Sequence, residues 1–124
     1  MDEKRVNALA ERAEHHRDLM WAAEETIWKH PETGYREWKT HAHLKAEMEK
    51  LGYTLTEAGN IPGFYADLDT GRPGPTLVLM AEMDSVLCAM HPESDPNTGA
   101  AHACGHHAQC AAMLGAAAAK AVSG

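Results

Sequence analysis

Hydrophobic positions recur at steps of three and four residues along the first quarter of the chain. The recurring positions between Asp2 and Lys29 are Val6, Leu9, Ala13, His16, Met20, Ala23 and Ile27. This spacing places side chains on one face of a helix. The pair His30-Pro31 ends the pattern, because the residue before a proline is kept out of the helical region. The sequence therefore predicts one long helix over Asp2–Lys29.

A second helical pattern follows the turn PETG. It runs from Glu37 to Leu51, and its repeated positions are Trp38, His41, Leu44, Met48 and Leu51. Gly52 comes directly after it and suits the left-handed conformation that commonly closes a helix. The pattern predicts that two helices precede any strand and that His41 is structural.

Three segments further along are typical of strands. Tyr53–Ala58 and Phe64–Leu68 alternate weakly around a turn, which predicts a pair of short strands. Thr76–Ala81 is a nearly continuous apolar run between turn residues. Such a run favours a strand that is covered on both faces, so we expect it to be the central strand.

The last third combines an aperiodic stretch with an alanine-rich helix. Ser85–Gly105 has no helical or strand period, and a loop of that length is usually functional or disordered. His107–Val122 strongly favours a helix. The predicted class is α/β, with amino-terminal helices followed by a mixed sheet with flanking helices.

Composition narrows the possible partners. The chain has 124 residues, enough for one domain, and 11 Lys and Arg against 18 Asp and Glu give a net charge of -7. That balance argues against nucleic acid and against an anionic membrane surface. The longest apolar stretch, Ala111–Ala119, is too short to span a membrane, and the amino terminus is charged. We expect a cytoplasmic protein with no membrane contact.

The candidate chemistry lies at the two ends of the aperiodic stretch. In open α/β sheets, ligands bind beyond the carboxyl ends of strands and near the helices that follow. The residues at those places are Glu82, Asp84, His102, Cys104, His106 and His107. Thiolate and imidazole are ligands for Zn²⁺ and similar ions, and a helix amino terminus favours a thiolate.

Cys104 and His106 are therefore predicted to bind one metal ion, with Asp84 orienting a ligand or bridging two ions. Each residue taken alone has an ordinary structural explanation, and a solvated polar helix cap remains the alternative for the group. Three cysteines are an odd number for a disulfide framework. Cys88 and Cys110 are interpreted as structural or incidental.

Three sequence blocks resemble the successive opening motifs of the M20 metallopeptidases. The blocks are HPETGYREWKTHAHLKAEMEKLGY, GPTLVLMAEMDSV and HACGHHAQCAAMLGAA. They are most similar to the amidohydrolase branch, which includes hippurate, indole-acetyl-amino-acid and aminobenzoyl-glutamate hydrolases. The resemblance extends over nearly the whole chain in order and spacing.

The resemblance implies a specific set of roles. Cys104 and His106 would be metal ligands and Asp84 the catalytic strand-end aspartate, in part of a zinc-exopeptidase-like catalytic domain. The cofactor would be a divalent metal, Zn or Mn, with two ions in some members. The substrate would be a small N-acyl or N-aroyl amino acid, and the full-length form a homodimer.

Several positions depart from the pattern of that branch. Glu82 stands where Asp is usual, His107 where Asp or Asn is common, and Gln109 where His is frequent. Family members also continue well past this helix, to a glutamate base, further ligands and a dimerisation domain. Residues 1–124 are thus expected to be the amino-terminal part of the catalytic domain, inactive alone.

Two functions follow from these observations. The first is metal-dependent hydrolysis of the amide bond of N-acyl or N-aroyl amino acids, with this chain carrying part of the site. The alternative is a non-catalytic metal-binding or interaction module. A closed structural zinc site needs four ligands, which Cys104, His106, His102 and Glu82 would have to supply.

Overall fold

A computed structural model describes residues 2–121 of the chain. The helices are α1 (Glu3–Glu14), α2 (Arg17–Lys29), α3 (Trp38–Lys50) and α4 (His106–Ala121). The strands are β1 (Thr56–Glu57), β2 (Phe64–Tyr65), β3 (Val86–Leu87) and β4 (Ala100–Ala101). The predicted α/β class is confirmed, as four helices and two small antiparallel sheets in the described part of the chain.

The single helix predicted over Asp2–Lys29 is wrong, because it divides at His15 and His16. His16 has φ -105° and ψ 17°, outside the helical region. The Nδ1–H of His15 donates to the carbonyl oxygen of Glu11 at 2.7 Å, which closes α1 with a side chain. The break separates α2, which buries Ala23 and Ile27, from α1, whose residues are all described and include none that is buried.

The second predicted helix is confirmed as α3. Gly52 follows it at φ +92°, the left-handed conformation that a residue with a side chain rarely adopts. His41 is buried and fully paired: its Nδ1 accepts from the N–H of Gly63 at 2.9 Å, and its Nε2–H donates to Glu57 at 3.0 Å. His41 therefore joins α3 to the first pair of strands, as its structural interpretation requires.

Both sheets consist of two short antiparallel strands. β1 pairs with β2 around the predicted turn, with Thr56 opposite Tyr65, which confirms that pair of strands. β3 pairs with β4, with Val86 opposite Ala101. The prediction that Ser85–Gly105 has no regular element is therefore wrong, because that stretch folds back on itself.

The predicted central strand Thr76–Ala81 is not formed in the described chain. Leu77, Val78, Leu79 and Met80 are 84%, 71%, 65% and 76% exposed. A strand is stabilised by hydrogen bonds to a neighbouring strand, and neither of the two sheets of residues 2–121 includes this segment. The apolar run is extended chain that exposes its side chains.

The core lies between α2, α3 and α4. Its buried cluster consists of Ala23, Ile27, Leu44, Met48, Cys110 and Leu114. The final predicted helix is confirmed as α4, which begins one residue earlier than predicted, and Val122 lies outside the described residues. Among residues 2–121, no helix combines the length and the apolar character needed to cross a membrane.

Candidate metal site

The candidate ligands Cys104 and His106 lie on either side of the turn that starts α4. Gly105 has φ +109°, which lets the chain reverse sharply between them. The Sγ of Cys104 lies 3.7 Å from the Nε2 of His106. Cys104 is exposed, whereas the side chain of His106 is 19% exposed. The two predicted ligands are therefore adjacent and reachable from solvent.

The other ring nitrogen of His106 is held by Asp84. Nδ1 lies 2.9 Å from the backbone carbonyl oxygen of Asp84 and 2.9 Å from its Oδ1. Both oxygens can only accept here, so Nδ1 carries the proton and Nε2 is left to face Cys104. A carboxylate or carbonyl on one ring nitrogen is the usual support for a histidine that ligates metal through the other.

Glu82 brings a second carboxylate to the same histidine. Its Oε2 lies 3.1 Å from the Nε2 of His106, and its side chain is 58% exposed. Desolvation lowers the pKa of His106, but the carbonyl and carboxylate of Asp84 and the charge of Glu82 more than offset it. The net effect is a pKa above the ordinary value for histidine. The site therefore has a negative potential that favours a cation.

Two further α4 side chains bind the backbone of Glu82. The Oε1 of Gln109 accepts from the Glu82 N–H at 2.8 Å, and the Sγ of Cys110 donates to the Glu82 carbonyl oxygen at 3.0 Å. Burial, with the nearby charges of Asp84 and Glu82, raises the pKa of the Cys110 thiol to about 12. Cys110 is thus a protonated hydrogen-bond donor, and not a metal-binding thiolate.

Glu32, in the turn before α3, binds the chain directly after Asp84. Its carboxylate accepts from Lys39 N at 3.0 Å, Thr40 N at 2.8 Å and Thr40 Oγ1 at 2.8 Å. Its backbone oxygen accepts from the N–H of Ser85 at 2.7 Å, next to Asp84. The acidic residue of the PETG turn therefore caps a helix and fixes the position of the site.

The rings of His102 and His107 contact each other, with 5.4 Å between their centroids. The Nε2 of His107 lies 3.2 Å from Glu24, and its ring packs against Trp28 at 4.8 Å between centroids. His102 is 4% exposed, and neither of its ring nitrogens has a hydrogen-bond partner among residues 2–121. Desolvation and the neighbouring histidines lower its pKa to about 4, so it is neutral at pH 7.

The donor set fits part of a metal site. One nitrogen, His106 Nε2, has a thiol sulfur on one side and a carboxylate oxygen on the other. Sulfur, nitrogen and oxygen together suit a borderline ion such as Zn²⁺. Within residues 2–121, no group of three or more His, Cys, Asp or Glu side chains is arranged to hold an ion. The described residues thus offer an incomplete set of ligands.

The structure brings the three predicted site residues, Asp84, Cys104 and His106, together. Sequence reasoning missed the supporting roles of Glu32, Gln109 and Cys110. The signal for Cys110 was its position four residues after His106, which places both on the same face of α4. No sequence pattern indicated that the Gln109 side chain would bind a backbone amide.

Curated relatives of this chain are enzymes. It is 34% identical over 90 residues to one of the subunits of p-aminobenzoyl-glutamate hydrolase from Escherichia coli, covering 65% of this chain and 18% of the relative. It is 33% identical over 103 residues to IAA-amino acid hydrolase ILR1-like 4 of Arabidopsis thaliana, covering 81% and 23%. It is 30% identical over 94 residues to N-acetyl-L-cysteine deacetylase of Bacillus subtilis, covering 73% and 23%.

The chain spans less than a quarter of the length of each of these relatives. No protein-family model matches the sequence. No solved structure matches it either. The classification of this chain therefore rests on its alignment with these relatives.

Proposed function

This chain belongs to the M20 family of metallopeptidases and amidohydrolases, and on that premise we propose that the protein hydrolyses the amide bond of N-acyl or N-aroyl amino acids with a divalent metal ion. The observation that carries the proposal is the environment of His106. One ring nitrogen is bound to Asp84 while the other faces Cys104 and Glu82. The names of the relatives support the substrate class.

Each site residue has its own part in this proposal. Cys104 and His106 bind the ion, as thiolate and neutral imidazole respectively. Asp84 keeps the proton of His106 on Nδ1 and adds negative charge beside the ion. When bound, the ion polarises the scissile carbonyl and lowers the pKa of a water molecule. The thiolate favours Zn, and the resemblance to the family extends the proposed cofactor to Zn or Mn, as one or two ions.

The remaining parts of the site belong to the rest of the protein in this proposal. The chain aligns with only 18–24% of the length of its relatives. Residues 1–124 are proposed to be the amino-terminal part of the catalytic domain, with the general base, further ligands and the contacts of a homodimer elsewhere. The chain of 124 residues is accordingly expected to bind metal without turning over substrate.

A closed structural zinc site has less support. It would need His102 and Glu82 to join Cys104 and His106 as ligands. In the described residues no group of three or more such side chains is suitably arranged. His102 is buried, and its ring contacts that of His107 with 5.4 Å between centroids. The open arrangement around His106 therefore favours a catalytic site.

Titration with Co²⁺ tests the metal site directly. A cobalt–thiolate bond produces a charge-transfer band in the near ultraviolet, and we expect this band when Cys104 binds. Cys104→Ser should abolish it. Cys88→Ser is the matched control, because Cys88 is a partly buried cysteine outside the site, and it should leave the band intact. No band with the unchanged chain would refute the metal site.

An activity assay tests the proposal that the general base and the further ligands lie outside residues 1–124. The chain is incubated with N-acetyl and N-benzoyl amino acids and added Mn²⁺, Co²⁺ or Zn²⁺. We expect no measurable release of amino acid. Robust hydrolysis that disappears in His106→Ala would show that the chain holds a complete site, and the proposed division of the catalytic domain would then be wrong.

A further inference from the structure

The segment that carries Glu82 and Asp84 is held by side chains. The Glu82 N–H donates to Gln109, the Glu82 carbonyl accepts from Cys110, and the Asp84 carbonyl accepts from His106. These three α4 side chains lie within five residues of sequence. At the far end, the Ser85 N–H donates to the backbone of Glu32.

The geometry points to Gln109 as a positioning residue that fixes the carboxylates of Glu82 and Asp84 opposite His106, and so sets the affinity of the site for a divalent metal ion. This inference rests on the proposed function. Gln109 does not touch the ion; it acts through the backbone of Glu82. Its role is separate from those of Cys104 and His106.

The position of Gln109 on α4 explains how it acts. Residues three and four apart lie on the same side of a helix, so His106, Gln109 and Cys110 face the same segment. Gln109 and Cys110 bind the two opposite polar groups of one residue, the N–H and the C=O of Glu82. Two hydrogen bonds to opposite backbone groups restrict the rotation of the Glu82 backbone more than one would.

The exposure of Gln109 makes the bond unusual. Gln109 is exposed at the start of α4, where its amide could be hydrated by water. Its Oε1 instead lies 2.8 Å from the Glu82 nitrogen. The Glu82 carboxylate in turn lies 3.1 Å from His106 Nε2. A rotation of the Glu82 backbone would move this carboxylate away from the ring nitrogen that faces Cys104.

Because Gln109 is exposed, its substitution should affect the site without unfolding the chain. Gln109→Leu removes the acceptor at nearly constant size. Gln109→Glu keeps an oxygen acceptor at the same reach and serves as the conservative rescue. Asn7→Leu, which changes an exposed amide on α1, is the matched control. Cys110 is fully buried, so its variants are less suitable.

The experiment measures Co²⁺ affinity of the four chains from the thiolate band, together with amide hydrogen exchange at Glu82 in metal-free protein. Supporting residues of metal ligands typically contribute about 10–100-fold to affinity. We expect a loss of that size for Gln109→Leu, with faster exchange at Glu82. Gln109→Glu should restore slow exchange and most of the affinity, and Asn7→Leu should match the unchanged chain.

The outcomes distinguish a failure of the positioning role of Gln109 from a failure of the proposed function. Equal Co²⁺ affinity of Gln109→Leu and the unchanged chain would overturn the positioning role while leaving the proposed function in place. Lost affinity in Gln109→Glu as well as Gln109→Leu would also overturn it, because the acceptor oxygen would not be the operative group. No Co²⁺ binding by the unchanged chain would overturn the proposed function and, with it, this inference.

Discussion

His106 contacts Asp84 twice through one ring nitrogen, since Nδ1 lies 2.9 Å from both the carbonyl oxygen and Oδ1 of that residue. The contact joins the first turn of α4 to the segment that follows Ala81. It also fixes which nitrogen of His106 carries the proton. The ligand nitrogen of the proposed site is therefore selected by a residue 22 positions away in the sequence.

Asp84→Asn tests the carboxylate half of this contact. The variant keeps the backbone carbonyl and removes the charge, so His106 should retain its place while the basicity of its ligand nitrogen falls. We expect Co²⁺ affinity to decrease about 10–100-fold. Asp67→Asn, at an exposed aspartate, is the control. Equal affinities in the two variants would exclude a role for Asp84 in metal binding.

Glu32→Ala tests the cap of α3. The Glu32 carboxylate accepts from the backbone of Lys39 and Thr40 and from the Thr40 hydroxyl. Loss of a helix cap typically costs about 1 kcal/mol, and we expect a decrease of that order in the free energy of unfolding, measured with urea. Glu49→Ala, at an exposed position of α3, should change it little. A stability unchanged by Glu32→Ala would contradict the capping role.

Leu114→Ala tests the core against a matched exposed leucine. Leu114 is 0% exposed, whereas Leu77 is 84% exposed. Truncating a buried leucine leaves a cavity and costs about 2–5 kcal/mol. Leu77→Ala should change the free energy of unfolding by less than about 0.5 kcal/mol. If the two variants were equally destabilised in thermal unfolding, Leu77 would have to be buried.

Asp95→Ala tests a pH-dependent turn. The Oδ1 of Asp95 accepts from Thr98 N at 2.9 Å and from Asn97 N at 2.8 Å. These backbone bonds lower the pKa of Asp95 below its ordinary value of 3.8. A carboxyl group whose pKa is lower in the folded protein than in the unfolded chain stabilises the fold at pH values above its unfolded pKa. This stabilisation is lost as the pH falls through the pKa that the group has in the folded protein.

Asp95→Ala should therefore lower the melting temperature at pH 7, and the difference from the unchanged chain should shrink as the pH falls below about 3.8. Asp67→Ala, which removes an exposed carboxylate, is measured as the control. A difference that stayed constant down to pH 2 would mean that the charge of Asp95 does not stabilise the turn.

The sequence predicted the parts of the fold that depend on local pattern. α3, its closing glycine, the β1–β2 pair and α4 follow from periodicity and turn residues. The division at His15 and His16 could not be predicted, because Ala13 and Met20 continue the same period on both sides of it. The break is visible only in the backbone of His16 and in the bond from His15 to Glu11, and the spacing of apolar residues indicates neither.

The run Thr76–Ala81 shows that local composition can also predict an element that the described structure does not form. Its composition favours a strand, but a strand also needs a neighbouring strand to pair with. The sequence of the run itself does not show whether such a neighbour is present. The candidate ligands were predictable because Cys104 and His106 are close in sequence. The bonds of Gln109 and Cys110 to Glu82 were not, because they join residues 27 and 28 positions apart.

The lack of buried residues in α1 has a practical consequence. All of Glu3–Glu14 is described, and none of its 12 residues lies in the core. A helix of about that length is marginal in water without packing. Since α1 contacts α4, its ordering depends on that contact with the helix that begins at His106. A fluorophore placed on an exposed residue of this helix should therefore report on its contact with α4.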